Sequence, residues 1–296
     1  MKSGIGIFIA GAVALGASWC GFVLAPSLQL GDAKLTTVLN STDTYPLQRS
    51  GEATLGLQVY RAQGCAACHT EAVRQDGVVA QVTLNSLGTS KPEDFKAFVY
   101  SLFVVPELAA HTNALVESLK DWKGELPKTF LVTTDKAVAD DMVKRVNAAG
   151  AKSQLQLVAT GADISRGWGL RRSVAADFLY DQPVQLGNLR AGPDLANIGV
   201  RQPVASWHLN HLYAPKSGNS DSTMPSFKYL FQVRRIPAGS ARSPDALNLP
   251  KEFAPAEGFE VVPTADAKNL TAYLLSLRAN VPLFEAPFTA DTTAKP

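Results

Sequence analysis

The sequence predicts a mainly α protein with an N-terminal transmembrane helix, followed by a helical domain that a small α+β insertion interrupts. Three observations predict it. The stretch Ile5–Ala25 is almost wholly apolar and uncharged. A Cys-Ala-Ala-Cys-His motif occupies residues 65–69. Residues 78–162 alternate strand-like and helix-like patterns and so have an organisation of their own. With 296 residues, 46% of them hydrophobic and 18% charged, the chain has room for two compact domains. A net charge of +2, with no concentrated basic run, argues against nucleic acid as a partner.

The first element is the anchor, residues 4–25. No residue from Ser3 to Gly31 is charged. Twenty-one residues at helical rise cover about 30 Å, the thickness of a bilayer's hydrocarbon core. Trp19 stands near the far end, where an indole favours the interface. The alternative is a cleaved signal peptide, but its apolar region is usually about 7–15 residues. A cut after Ala25 would put Pro26 next, and lipid attachment at Cys20 would follow the bulky Trp19. An uncleaved, single-pass anchor is therefore expected. Lys2 and the amino terminus stay in the cytoplasm and everything beyond Pro26 is exported. Gly, Ser and Pro in residues 26–50 read as a linker.

Cys65, Cys68 and His69 come next. Two thiols three residues apart with a histidine directly after them form the attachment signature of a c-type haem. Each thiol can close a thioether to one vinyl group, and the imidazole then serves as proximal ligand to iron. A dithiol turn alone would equally suit redox exchange or half of a zinc site. Zinc wants four protein ligands, and the four histidines (His69, His111, His208, His211) leave a distant zinc pair without support. The third cysteine, Cys20, cannot complete an intrachain disulfide scaffold. In bacteria such a haem is attached outside the cytoplasm, which agrees with export to the periplasm.

An electron carrier commonly fills the sixth iron position with methionine sulfur. Met1 is the initiator and Met142 lies in a charged helical stretch. Met224, beside Pro225 in a loop of small polar residues, is the candidate distal ligand. His208 and His211, three apart on one helix face, are the rivals; packing near the haem edge or contact with a partner is the other reading of both. His111 reads as a surface or interhelical residue. Arg74, Arg190 and Arg201 are candidates to pair with haem propionates, because a guanidinium matches a carboxylate with two donors. Asp194 reads as the cap of a short helix through Ile198, and Ala265–Arg278 as a closing amphipathic helix packed on the first helix around Leu57–Gln63.

From Gly167 to Leu230 a family becomes recognisable. Tyr180-Asp181-Gln182-Pro183, Leu186-Gly187, Arg190-Ala191-Gly192-Pro193-Asp194-Leu195, Gly199, Arg201, Trp207-His208, His211-Leu212, Pro215 and Met224-Pro225 occur in order, with Cys68-His69 and Arg74 upstream. In these motifs the chain resembles the monohaem, membrane-anchored subunit of cbb3-type cytochrome c oxidases. The resemblance implies a periplasmic cytochrome c domain with one haem c, attached at Cys65 and Cys68 and ligated by His69 and Met224. It also implies partners: the haem-copper catalytic subunit that reduces oxygen, other cytochrome c subunits, and the lipid bilayer. One transmembrane helix and four histidines cannot build a haem-copper centre, so oxygen reduction belongs to partner chains. A freestanding anchored cytochrome, an electron-transfer subunit of another respiratory complex, and a haem-based gas sensor with an open iron are the alternatives.

The chain departs from that pattern between Cys68 and Met224, 156 positions apart. The expected domains are a cytochrome domain in two parts, 51–77 and 163–282, a module at 78–162 and a tail at 283–296. The module reads as a strand at 79–84, helices at 92–102 and 106–119, an extended 129–133, a helix at 136–149 and a strand at 154–158. Its order, with Leu126-Pro127-Lys128-Thr129 and Val146–Lys152, resembles the carboxy-terminal domain of the bacterial ribosomal stalk protein, in fold only. Docking or spacing is its expected role, neutral decoration the alternative.

Overall fold

The computed structural model describes residues 4–31, 35–37, 44–49 and 51–281; Lys2 and the expected tail 283–296 lie outside them. The described chain is mostly helical with small sheets. It begins with α1 (Gly4–Trp19), α2 (Ala25–Gly31), β1 (Thr36–Thr37), β2 (Thr44–Tyr45) and α3 (Glu52–Ala62). Then follow β3 (Gly77–Ser86), α4 (Pro92–Ser101), α5 (Pro106–Ala109), α6 (Thr112–Leu119), β4 (Lys128–Thr133), α7 (Lys136–Ala148), β5 (Lys152–Thr160) and α8 (Ala162–Ser165). The chain closes with α9 (Ile198–Arg201), α10 (Ala205–Tyr213), β6 (Phe231–Arg235), β7 (Phe259–Pro263) and α11 (Ala265–Ser276). Two compact units result: Met1–Glu71 with Ser173–Leu277, and Ala72–Arg172 with Arg278–Pro296.

Among the described residues one helical run, Gly4–Gln29, is long and apolar enough to cross a membrane. Its side chains lie exposed, as lipid-facing groups do. Between α1 and α2 the residues Cys20–Leu24 form a π turn, and the Ala25 N–H reaches back to the Cys20 carbonyl. Pro26, which has no N–H and crowds the preceding turn, accounts for this widening. The expected linker 26–50 is not uniform. Its first residues continue the helix as α2, and its last ones are tied to the first unit: the Tyr45 hydroxyl donates to Asp177 Oδ1 at 2.8 Å, and Arg49 bonds Ser276 and Asp181.

The core of the first unit is the crossing of α3 and α11. Leu57 and Tyr60 on one helix meet Leu270, Tyr273 and Leu274 on the other, with Leu195, Ile198, Leu212 and Val261 filling the sides. The rings of Tyr60 and Tyr273 lie 5.2 Å apart and tilted by 55°. Gly56 makes the approach possible: a Cβ there would stand 1.9 Å from the Asn269 carbonyl oxygen and 2.7 Å from the Tyr273 Cβ. Backbone cannot yield as a side chain tip does. Gly56→Ala is therefore expected to cost roughly 3 kcal/mol, read as a lowered denaturant midpoint of the detergent-solubilised chain.

The second unit holds an antiparallel sheet in the order β4-β3-β5. Alternation along β3 sends Ala80, Val82 and Leu84 to one face, where they meet Phe95, Val99, Leu115, Leu119, Met142 and Val146 from the helices. Met142, fully buried, fills this core. Pro92 starts α4 where no N–H is needed, and the Asp135 side chain caps α7 by accepting from the Ala137 and Val138 N–H groups. The expected helix 106–119 breaks into α5 and α6; His111 precedes α6 and its Nε2 stands 3.4 Å from the Thr133 hydroxyl. Asp194 does not cap a helix through Ile198, because α9 begins only at Ile198. Its buried carboxylate instead accepts from the Ala196 N–H inside a turn.

Candidate haem site

The attachment motif follows directly on α3. The helix ends at Ala62, Gly64 takes a positive φ of 68° that reverses the chain, and Cys65–Ala67 winds into a tight 3-10 turn. The Cys68 and His69 N–H groups both donate to the Cys65 carbonyl, at 3.1 and 3.0 Å. One turn therefore carries both thiols and the imidazole. Cys65 is half-buried against the α3–α11 core while Cys68 is exposed, and neither is in a disulfide. Burial pushes the Cys65 thiol up to about 12.

A second loop zips onto this turn. The Asn188 N–H donates to the Ala66 carbonyl (3.1 Å), Gly192 N–H to Cys68 (2.9 Å), Leu195 N–H to Thr70 (2.7 Å), and the Glu71 N–H to Leu186 (3.1 Å). These bonds bring Pro193 to His69, whose Nδ1 lies 2.8 Å from the Pro193 carbonyl oxygen. A carbonyl only accepts, so Nδ1 carries the proton and Nε2 keeps its lone pair for a metal. Gly192 cradles the ring: a Cβ there would stand 2.2 Å from its Cε1 and 2.7 Å from Nδ1. An imidazole oriented by a carbonyl, with two thiols on the same turn, fits the demands of a covalently held haem.

Met224 lies half-buried in the loop after α10. It packs against the same apolar core that Cys65, Ala66, Leu209 and Phe227 border. Its N–H donates to the Ser222 hydroxyl at 3.3 Å. The two histidines of α10 are held otherwise. His208 is buried, its Nε2 hydrogen-bonded to the Gln202 carbonyl at 2.8 Å, and the His211 ring stacks on Trp207 at 4.8 Å. Burial draws the pKa of both below the ordinary histidine value, so each stays neutral at pH 7.

The three arginines part company. Arg190 and Arg201 converge on Asp194: Arg190 Nε donates to the Thr70 hydroxyl (3.0 Å), its Nη2 reaches Asp194 Oδ2 (3.4 Å), and Arg201 Nη2 donates to the Asp194 carbonyl (2.5 Å). Thr70 adds a 2.6 Å bond to the same carboxylate. Arg201 is partly desolvated, which lowers its pKa, and its Nε is buried without a partner. Arg74 is exposed and belongs to the second unit, where its N–H donates to Asp163.

Sequence reasoning missed the polar group behind the turn. Glu71 is 2% exposed, and the Tyr273 hydroxyl donates to its Oε1 and Oε2 at 3.0 and 2.9 Å. Burial pushes its carboxyl up to about 8, against the pull of the Tyr273 bond and the Arg49 charge. Arg49 pairs with Asp181, whose own pKa burial raises. The available signal was an acid two residues after the haem-type histidine, in a segment that the core must enclose.

A helical unit that carries paired thiols and an oriented imidazole on one turn, with Cys65 and a methionine thioether bordering the same apolar core, has the donor set of a c-type, single-haem protein. The family comparison agrees in class. Residues 152–243 match the family described as cytochrome C oxidase, mono-heme subunit/FixO. The match takes in less than half of the chain, including Arg190, Arg201, His208, His211 and Met224, and stops short of Cys65–His69. It supports a haem-carrying subunit of a cytochrome c oxidase. No curated protein matches the chain.

Proposed function

We propose that this chain is a membrane-anchored, periplasmic cytochrome c subunit that relays electrons to the haem-copper catalytic subunit of a cbb3-type terminal oxidase. The observation that carries the reading is the His69–Pro193 bond beside the paired thiols, joined with the oxidase-subunit match over residues 152–243. Cys65 and Cys68 would hold the vinyl carbons as thioethers, His69 Nε2 and Met224 Sδ the iron. A bound haem supplies a one-electron iron couple. This chain's part is to fix the ligands, enclose the ring in the apolar core around Leu209 and Phe227, and set the polarity around it. Arg190 and Arg201 are candidates for the propionates, each already oriented by Thr70 or Asp194.

The helix 4–29 would anchor the subunit with its N-terminus in the cytoplasm. The second unit, with the module at 78–162, would serve docking or spacing among the partner chains. Solubilising the native membrane complex in mild detergent and isolating it through a tag on this chain tests the reading. Co-isolation of a haem-copper subunit in fixed proportion, with one covalent haem on this chain, is the expected result. A haem-bearing chain isolated alone would make it a freestanding cytochrome instead.

A further inference from the structure

The proposed haem site uses the turn at residues 65–69 and the loop that zips onto it, but not the side chain of Arg49. Arg49 reaches the first unit from the segment that follows β2. Its Nε donates to Ser276 Oγ at 3.0 Å at the end of α11, its guanidinium pairs with Asp181, and it lies 5.5 Å from the centroid of the Tyr273 ring. Tyr273 in turn bonds the buried Glu71, two residues beyond His69. The pair is well desolvated: the side chains of Arg49 and Asp181 are 12% and 3% exposed. Asp181 Oδ2 has no hydrogen-bond partner, so the arginine is what compensates this carboxylate.

We propose that Arg49 is a positioning residue of the haem site: its buried positive charge secures the Tyr273–Glu71 bridge behind His69 and raises the reduction potential of the site. The proposal rests on the haem reading above. A charge in this setting is weakly screened by solvent and salt. A buried cation joined to the His69 segment through Tyr273 and Glu71 disfavours the more positive, ferric state, so the potential rises. Without Arg49 the carboxylate of Asp181 stands uncompensated in the same place, and both changes act in the same direction.

The test uses the full-length, haem-loaded chain in detergent, with the potential read by optical redox titration and ligation by the absorption bands of the reduced form. R49Q is expected to lower the potential while the bands keep their positions. R49K, which keeps the charge, should restore most of the wild-type value. D181N, which removes the opposing charge, should move the potential upward. A wild-type potential in R49Q overturns the proposal, and so do shifts of the same sign in R49Q and D181N, which would report loosened packing rather than charge. If R49Q retains no haem, the other two variants decide: a near-wild-type R49K with a raised D181N supports the role, and any other pairing overturns it. A wild-type chain that bears no haem would instead sink the proposed function.

Discussion

Replacing Cys65 and Cys68 together by alanine is expected to remove covalent haem from this chain altogether. Both thiols sit on one 3-10 turn that two bonds to the Cys65 carbonyl hold shut, so the pair meets its target in a single geometry. With both sulfurs gone, nothing in the turn can form a thioether, and His69 alone offers only a reversible bond. The measurement is a haem-dependent peroxidase stain of the chain on a denaturing gel, after expression in a host that can attach c-type haem. The signal should fall by at least tenfold relative to wild type, with chain abundance checked by immunoblot. Undiminished staining of the double variant would mean that the motif is not the attachment site.

Met224→Ala is expected to leave the haem attached and change what the iron does. Thioether sulfur stabilises ferrous iron, and its loss should lower the potential by on the order of 100 mV, within the ~0.8 V range that axial ligands span. The iron should also become open to carbon monoxide in the reduced state. Of the rival ligands, His208 Nε2 is held by the Gln202 carbonyl. Redox titration and a carbon monoxide difference spectrum read both effects. A variant with the wild-type spectrum and potential would strike Met224 from the ligand set and return attention to α10.

What could be read in advance follows from how local each signal is. The helices that became α3, α7 and α11, and the strands that became β3 and β5, rest on spacings of two to four residues within one element. The motif at 65–69 is equally local, since one turn contains all of it. The rest depended on residues that meet only in the fold. Arg49 and Asp181 are 132 positions apart, and so are Tyr45 and Asp177. No periodicity marks such pairs. Gly192 reads as a turn residue in sequence, while its role as the cradle of the His69 ring exists only once the Gly192 N–H bonds to Cys68. Asp194 looked like a helix cap because aspartate at that spacing often is one. The nearby Thr70, Arg190 and Arg201 drew it into a buried network instead.

The pairing of β3 with β5 has a consequence for how the polypeptide finds its form. Gly77 faces Thr160 across the ladder, and the Asp76 N–H donates to the Thr160 carbonyl at 2.8 Å. The segment between Glu71 and Ser173 thus leaves and returns at adjacent points. Once these two strands have zipped, the ring that joins the two halves of the first unit shrinks from roughly a hundred residues to roughly twenty. By the logarithmic law for flexible loops this spares about 1.5 kcal/mol of closure entropy. The residues of this clasp are made before Ser173–Leu277, so early folding here brings that later segment within easy reach of the first.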